Sequence, residues 1–176
     1  DVAMVALASW LMDNFHDANS LFNEATRANP NNLEAHVLWG DLFLEKYNAS
    51  DAERSYQEAL DINSRYTDAL VGIARVIGDE RALQRALAIN PNSIDAMETY
   101  GQLLLVNGRE EEAEDYFTKV LALNPESLKT LSVLAAQAAL EERTDDFATY
   151  RDRVYSFSPD NPQFLGDIAD TFGNNY

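Results

Sequence analysis

An all-α chain, built as a solenoid of antiparallel helix pairs, is what this sequence predicts, and three observations carry the prediction. Asparagine–proline breaks recur along it: Asn29-Pro30, Asn90-Pro91 and Asn124-Pro125, with Ser158-Pro159 in a later slot and Asn63-Ser64 filling one without the proline. The spacing is fixed, since Pro30 and Ser64, Pro91 and Pro125, and Pro125 and Pro159 are each 34 residues apart. Between breaks lie two apolar stripes of helical period joined by a short polar turn. A constant period of this length marks a repeat array.

The first unit, about 1–32, carries Ala6, Ala18, Phe22, Ala25 and Pro30. The second, Leu33 to Tyr66, is the clearest. Its first helix repeats apolar residues at Ala35, Leu38, Trp39, Leu42 and Phe43, and its second at Ala52, Tyr56, Ala59, Leu60 and Ile62. Tyr47 to Ser50 forms the turn between them, with Ser50 or Asp51 expected as N-cap and Asn63 as a left-handed helix end. The third unit, 67–93, is seven residues short, with the loss around Gly78. Ala69, Leu70, Ile73, Ala74 and Ile77 mark its first helix, and Ala82, Leu83, Ala86, Leu87 and Ile89 its second. Seven residues are close to two helical turns, so a deletion keeps the stripe in phase. The preferred reading is instead a mobile turn of a parent protein that this chain lacks. Units four (94–127) and five (128–161) restore the period, and a terminal helix (162–176) shows a stripe of Leu165, Ile168, Ala169 and Phe172. A single domain spanning 1–176 is expected. A start without methionine, inside a helix, and an end inside a repeat are expected of a fragment.

These units resemble the tetratricopeptide repeat, a pattern with small residues at repeat positions 8, 20 and 27, bulky ones near 11 and 24, and proline at 32. Gly40, Phe43, Ala52, Tyr56 and Ala59 occupy those slots in unit two, and Gly101, Leu104, Ala113, Phe117 and Pro125 in unit four, where Val120 replaces an alanine. Unit five keeps Ala135 and Pro159 and departs at Phe147 and Arg151. The resemblance covers essentially the whole chain and implies a right-handed superhelix. Small residues at those slots let paired helices approach closely, and Trp39 and Tyr100, at equivalent positions, read as core.

The formal net charge is −17, which disfavours nucleic acid and anionic membrane surfaces and favours a basic partner. No run reaches the roughly 18 apolar residues of a membrane span, so no membrane insertion is expected. Both a cytoplasmic and an extracytoplasmic bacterial setting fit. There is no cysteine, which removes disulfides, thiolate metal sites and cysteine nucleophiles. Neither His16 nor His36 has a metal-type partner three or four residues further on, and HExxH, GxSxG, the P-loop and GxGxxG are missing. No catalytic residue, cofactor or metal is therefore expected, and the chain is read as non-enzymatic. The clusters Glu110-Glu111-Glu112 and Asp145-Asp146 open second helices, where carboxylates suit the helix dipole. Asn48-Ala49-Ser50 matches a glycosylation sequon and is read as chance.

The resemblance implies that first helices line a concave face that holds a peptide. Its groove slots fall on Glu34, Val37, Leu38, Asp41, Leu44 and Glu45 in unit two, and on Asp68, Val71, Gly72 and Arg75 in unit three. In unit four they include Asp95, Glu98, Gln102 and Leu105, and in unit five Ser132 and Ala136. Glu34, Asp68 and Asp95 share position 2 and form an acidic ladder. The family's carboxylate clamp, Lys and Asn at positions 5 and 9, is replaced by Val37 and Asp41, Val71 and Arg75, Glu98 and Gln102, and Ser132 and Ala136. Recognition of an acidic C-terminal peptide is therefore not expected. The leading expectation is an interaction scaffold for a protein or peptide segment, with a homodimer through the terminal helix as another use of an exposed apolar face. The alternative is the repeat region of a larger multidomain enzyme, such as a bacterial metallopeptidase-like protein. Trp39 to Asn48, WGDLFLEKYN, resembles the repeat regions of that group.

Overall fold

The computed structural model describes residues 2–159 and 161–174, with side chains described through Ala169. It is all-helical among the described residues and falls into two compact units, 1–99 and 100–176. The first holds α1 (Val2–Leu11), α2 (Phe15–Ala28), α3 (Leu33–Glu45), α4 (Ala49–Ile62), α5 (Thr67–Ile77), α6 (Glu80–Ile89) and the start of α7 (Ile94–Val106). The second holds the rest of α7, α8 (Glu110–Leu123), α9 (Leu128–Leu140), α10 (Thr144–Phe157) and α11 (Pro162–Asn174). Within the first unit each odd helix packs on its following even partner through α6, α3 also touches α1 and α5, and in the second α9 packs on α8, α10 and α11. This is the α-solenoid of helix pairs that the period predicts.

The breaks between pairs are built alike. Asn29, Asn63, Asn90 and Asn124 each accept, through Oδ1, the backbone N–H two residues on, at 3.0–3.2 Å. Their carbonyls accept the N–H three residues on, from Asn32, Tyr66, Ser93 and Ser127. Proline, or Ser64 in one break, occupies the second turn position, where proline's fixed φ is pre-set and no donor is needed. Asn63 is therefore extended (φ −140°, ψ 98°) and not left-handed, because its side chain makes the turn. The last residue of the turn then caps the next helix. Asn32 Oδ1, Ser93 Oγ and Ser127 Oγ accept from Ala35, Ala96 and Thr130. Tyr66, at the same place, makes no cap hydrogen bond.

The left-handed conformation appears instead within the pairs, at Asp13, Tyr47, Gly108 and Glu142, with φ of 58–69°. In each case the next residue returns its N–H to a carbonyl five residues back: Asn14 to Ser9, Asn48 to Phe43, Arg109 to Leu104, Arg143 to Ala138. Asn48, rather than Ser50 or Asp51, is the N-cap of α4, and its amide exchanges hydrogen bonds with Asp51. Asn14 and Asp17 repeat that box, while Arg109 and Arg143 reach Glu112 and Asp146 by ion pairs. The short third unit closes through Gly78 (φ 67°) and Asp79, which caps α6. Its helices have 11 and 10 residues against 13 and 14 in the repeat Leu33 to Tyr66, so the shortening is shared by both helices and their turn.

The core of the first unit is organised around close approach. The Tyr56 ring lies between two helix backbones, at Gly40 of its own pair and Gly72 of the next. A Cβ on Gly40 would stand 2.6 Å from Tyr56 Cε1, and one on Gly72 2.4 Å. Toward the N-terminus Phe22 packs with Ala6, Ala18 and Leu42, and Trp39 Nε1 donates to Asn19 at 2.9 Å. In the second unit Gly101 meets Phe117 in the same way, and a Cβ there would stand 2.5 Å from Phe117 Cε1. Where Arg151 replaces the expected aromatic, the side chain turns out to Asp152, and Phe164 of α11 fills the core with Leu131, Ala135, Ala136 and Val154. The inward stripe of α11 is thus Phe164 and Ile168. Leu165 and Ala169 are exposed, because α11 docks on α9 by its other face; the Phe172 side chain lies outside the described residues. Gly166 has open space around it.

Alanine at Gly72 or Gly101 is expected to destabilise by about 1–3 kcal/mol through overpacking. Gly166→Ala is expected to stabilise by about 1 kcal/mol through helix propensity alone. Urea melts of the three variants check this, and a Gly72→Ala or Gly101→Ala variant as stable as the parent would show that the rings yield.

Candidate acidic cleft

The groove-slot residues of α3 recur at helical spacing, so Glu34, Val37, Leu38 and Asp41 share one face. Asp68 and Arg75 of α5 and Asp95 of α7 meet that face, and Tyr66 closes the edge, around a cleft of about 250 Å³ within the first compact unit. Glu34, Asp68 and Asp95, the three position-2 acids, all line it and are exposed. Val37 is buried and Leu38 half-buried, which gives the cleft an apolar floor. Each acid at position 2 lies in the first turn of its helix, where the dipole favours it.

The cleft is held from beneath. Tyr56 Oη donates to Asp41 Oδ1 at 2.6 Å. Burial pushes the Asp41 carboxyl above its ordinary range; the Tyr56 hydroxyl and the Arg75 charge oppose this, and Asp95 and Asp68 add to it. Burial, with Asp41 beside it, likewise raises Tyr56 far above the usual phenol value. Tyr66 is raised by burial first, then by the charges of Asp68 and Glu34. Arg75 pairs with Asp95, its side chain 28% exposed and that of Asp95 51%. The cleft therefore carries four carboxylates and one guanidinium.

Other groove slots sit elsewhere. Val71 and Gly72 are buried, since α4 and α3 both pack on α5, and Gly72 faces the Tyr56 ring. Glu98 is also buried. Glu45 is engaged at the far end of α3, accepting Trp10 Nε1 at 2.6 Å and pairing with Lys46 at 2.8 Å; Leu44 beside it is half-buried. In the second unit Gln102 and Leu105 are half-buried, whereas Ser132 and Ala136 are fully buried, Ala136 against Phe164 and Ile168 of α11. These buried side chains offer no surface to a partner. Tyr66 is a cleft residue outside the sequence candidates. The signal for it is present: it occupies the turn position that holds Asn32, Ser93 and Ser127 elsewhere, with a side chain that cannot cap. Among the described residues no group of His, Cys, Asp and Glu could hold a metal ion, and no helix is long and apolar enough to cross a membrane. His36 is buried with Nε2 2.9 Å from the Pro30 carbonyl oxygen.

Two tetratricopeptide repeat models match the sequence, one over residues 6–75 and one over 82–115, between them more than half of the chain. The chain belongs to the tetratricopeptide repeat family. No curated protein sequence matches it. Solved structures share its fold. TTC0263, a thermophilic tetratricopeptide repeat protein of Thermus thermophilus, superposes with a TM-score of 0.83 at 16% identity, over 97% of both chains. Pseudomonas aeruginosa pilF gives 0.74 at 19% identity, over 98% of this chain and 83% of that one. YrrB, described as a tetratricopeptide repeat protein with an unusual peptide-binding site, gives 0.57 at 19% identity, over 94% and 89%. The tetratricopeptide architecture supports a protein–protein interaction scaffold.

Asp41 has a folded pKa above its unfolded value, so its stabilising contribution is fully present below the unfolded value and is lost as pH rises through the folded one. Asp41→Asn keeps an acceptor for Tyr56 and removes the half-buried charge. Its stability relative to the parent should therefore rise as pH is taken from the acid range to neutrality. Asp41→Ala leaves the Tyr56 hydroxyl without its acceptor and should cost about 1–3 kcal/mol. Melting temperatures of both variants across pH read the two effects separately.

Proposed function

We propose that this tetratricopeptide repeat protein docks a segment of a partner protein in the cleft of α3, α5 and α7, and that the segment carries lysine or arginine. The observation that carries this reading is the excess of carboxylates over cations around an apolar floor: Glu34, Asp41, Asp68 and Asp95 against Arg75. A cationic side chain gains from every one of those acids, and the net charge of −17 steers a basic segment toward the chain. An acidic segment would meet repulsion at the same place. The described peptide-binding site of YrrB, on a similar fold, accords with a peptide role.

The cleft is small beside small-molecule sites of roughly 300–1,000 Å³, so it suits a side chain on an extended segment better than a bulky cofactor. The rest of such a segment would lie along the first-helix face, making backbone and apolar contacts at Val37 and Leu38.

Glu34 and Asp68 are the residues to reverse, because both are exposed, whereas Asp41 and Glu98 sit in or against the core. A fluorescein-labelled peptide of alternating serine and lysine should bind the parent and lose at least about tenfold in affinity with Glu34→Lys/Asp68→Lys, the loss shrinking at high salt. A matched serine–glutamate peptide should not bind. Equal affinity for the parent and the reversed variant would remove the cleft as the docking surface.

A further inference from the structure

The cleft already contains one cation, and it comes from the chain itself. Arg75 is the sole basic residue among those lining the cleft, and its guanidinium lies on the carboxylate of Asp95. It rises from α5, the helix that also brings Asp68, and its charge reaches Asp41 at the floor. The groups it sits among are those that would recognise a partner's lysine or arginine. We propose that Arg75 is an internal stand-in for the partner's cation, one that holds Asp95 and must give up that carboxylate, or share it, when the partner's side chain enters. This rests on the reading that the cleft receives a cationic side chain.

Three features fit such a role. The pair is open to water, with Asp95 half exposed, and pairs this exposed contribute little, so exchanging one guanidinium for another cation costs little. The acids outnumber the one base, so the cleft retains unmatched carboxylates to attract the incoming charge while Arg75 is in place. Arg75 is the C-terminal-turn residue of α5, which ends two residues later at the Gly78 turn, so its side chain is anchored at one end and exposed at the other. Arg75 then acts as a specificity-determining residue: it lowers affinity for weakly basic segments by competing with them, and it partly neutralises the acidic cleft when no partner is bound.

The consequence runs against ordinary expectation for a residue in a binding site, because removing it should strengthen binding. Arg75→Gln keeps most of the side chain and deletes the charge. Its affinity for the serine–lysine peptide, read by fluorescence anisotropy, should rise about fivefold. Arg75→Lys, which keeps a cation, should bind as the parent does. An affinity for Arg75→Gln that is unchanged or lower, with the fold intact by circular dichroism, would overturn the proposal. A lower value would mean that Arg75 contacts an anion of the partner. The parent protein supplies a second reading that does not depend on any variant folding well. The Arg75 side-chain Nε–H resonance, assigned by comparison with Arg75→Lys, should shift when the peptide is added, and a resonance that stays put while the peptide binds overturns the proposal equally. Loss of binding in Glu34→Lys/Asp68→Lys without a gain in Arg75→Gln would leave the cleft as the docking surface and remove only the competitor. A serine–lysine peptide that binds neither the parent nor Arg75→Gln would end both readings.

Discussion

The Tyr56 ring is the contact on which both the packing and the cleft of the first compact unit depend. Two helix backbones reach it, at Gly40 and Gly72, with no room for a Cβ on either. Only glycine allows that approach, and only a flat ring fills the gap at close-packed density. The ring carries a hydroxyl at its far end, and that hydroxyl donates to Asp41 at the base of the acidic cleft. One side chain thus sets the spacing of α3, α4 and α5 and also fixes the orientation of a carboxylate that lines the cleft. A change at Gly72 reaches the cleft through the ring, even though Gly72 itself offers no surface.

The second compact unit uses the same solution once and a different one afterwards. Gly101 accommodates Phe117 as Gly40 accommodates Tyr56. At the next repeat the aromatic is replaced by Arg151, and the space is filled by Phe164 from a helix further along the chain. Solenoid stability is close to a sum over neighbouring units, so a residue lost from one helix can be made up by the next. The consequence appears on α9, whose groove slots Ser132 and Ala136 are covered. Glu34, Asp68 and Asp95 are exposed because each sits at the first turn of its helix, at the rim rather than between helices.

Much of this is legible in the sequence, and particular residues show why. The Asn-Pro breaks and their Asn63-Ser64 and Ser158-Pro159 variants separate the helix pairs, because an asparagine-led turn with proline at its second position is a local structure that needs no tertiary help. The small-residue and aromatic slots name Gly40, Tyr56, Gly101 and Phe117 as partners from repeat position alone. Glu34, Asp68 and Asp95 are brought to one cleft because a helical period and a repeat period together specify their register. Two of the misses are local in cause and one is tertiary. Asn63 has the residue type of a left-handed cap, but its side chain makes the turn instead. Asn48 lies ahead of the expected caps Ser50 and Asp51 and captures the start of α4. Tyr66 reads as a connector in sequence, and only the packing of α3 against α5 turns it into a cleft wall.

The sequence by itself determined the all-helical pairing and the face on which Glu34, Asp68 and Asp95 fall, since periodicity and turn chemistry are properties of neighbours along the chain. The tertiary structure alone decided which groove slots remain open: Val71, Ser132 and Ala136 are closed by the flanks of adjoining helices, while Glu34, Asp41, Asp68 and Asp95 gather around Arg75. It also decided that Asp41 would be a half-buried carboxylate held by a phenol and Arg75 a guanidinium on a neighbouring acid. Burial and charge pairing are set by residues from other helices at distances of a few ångströms, and repeat position carries no information about how far apart those helices pack.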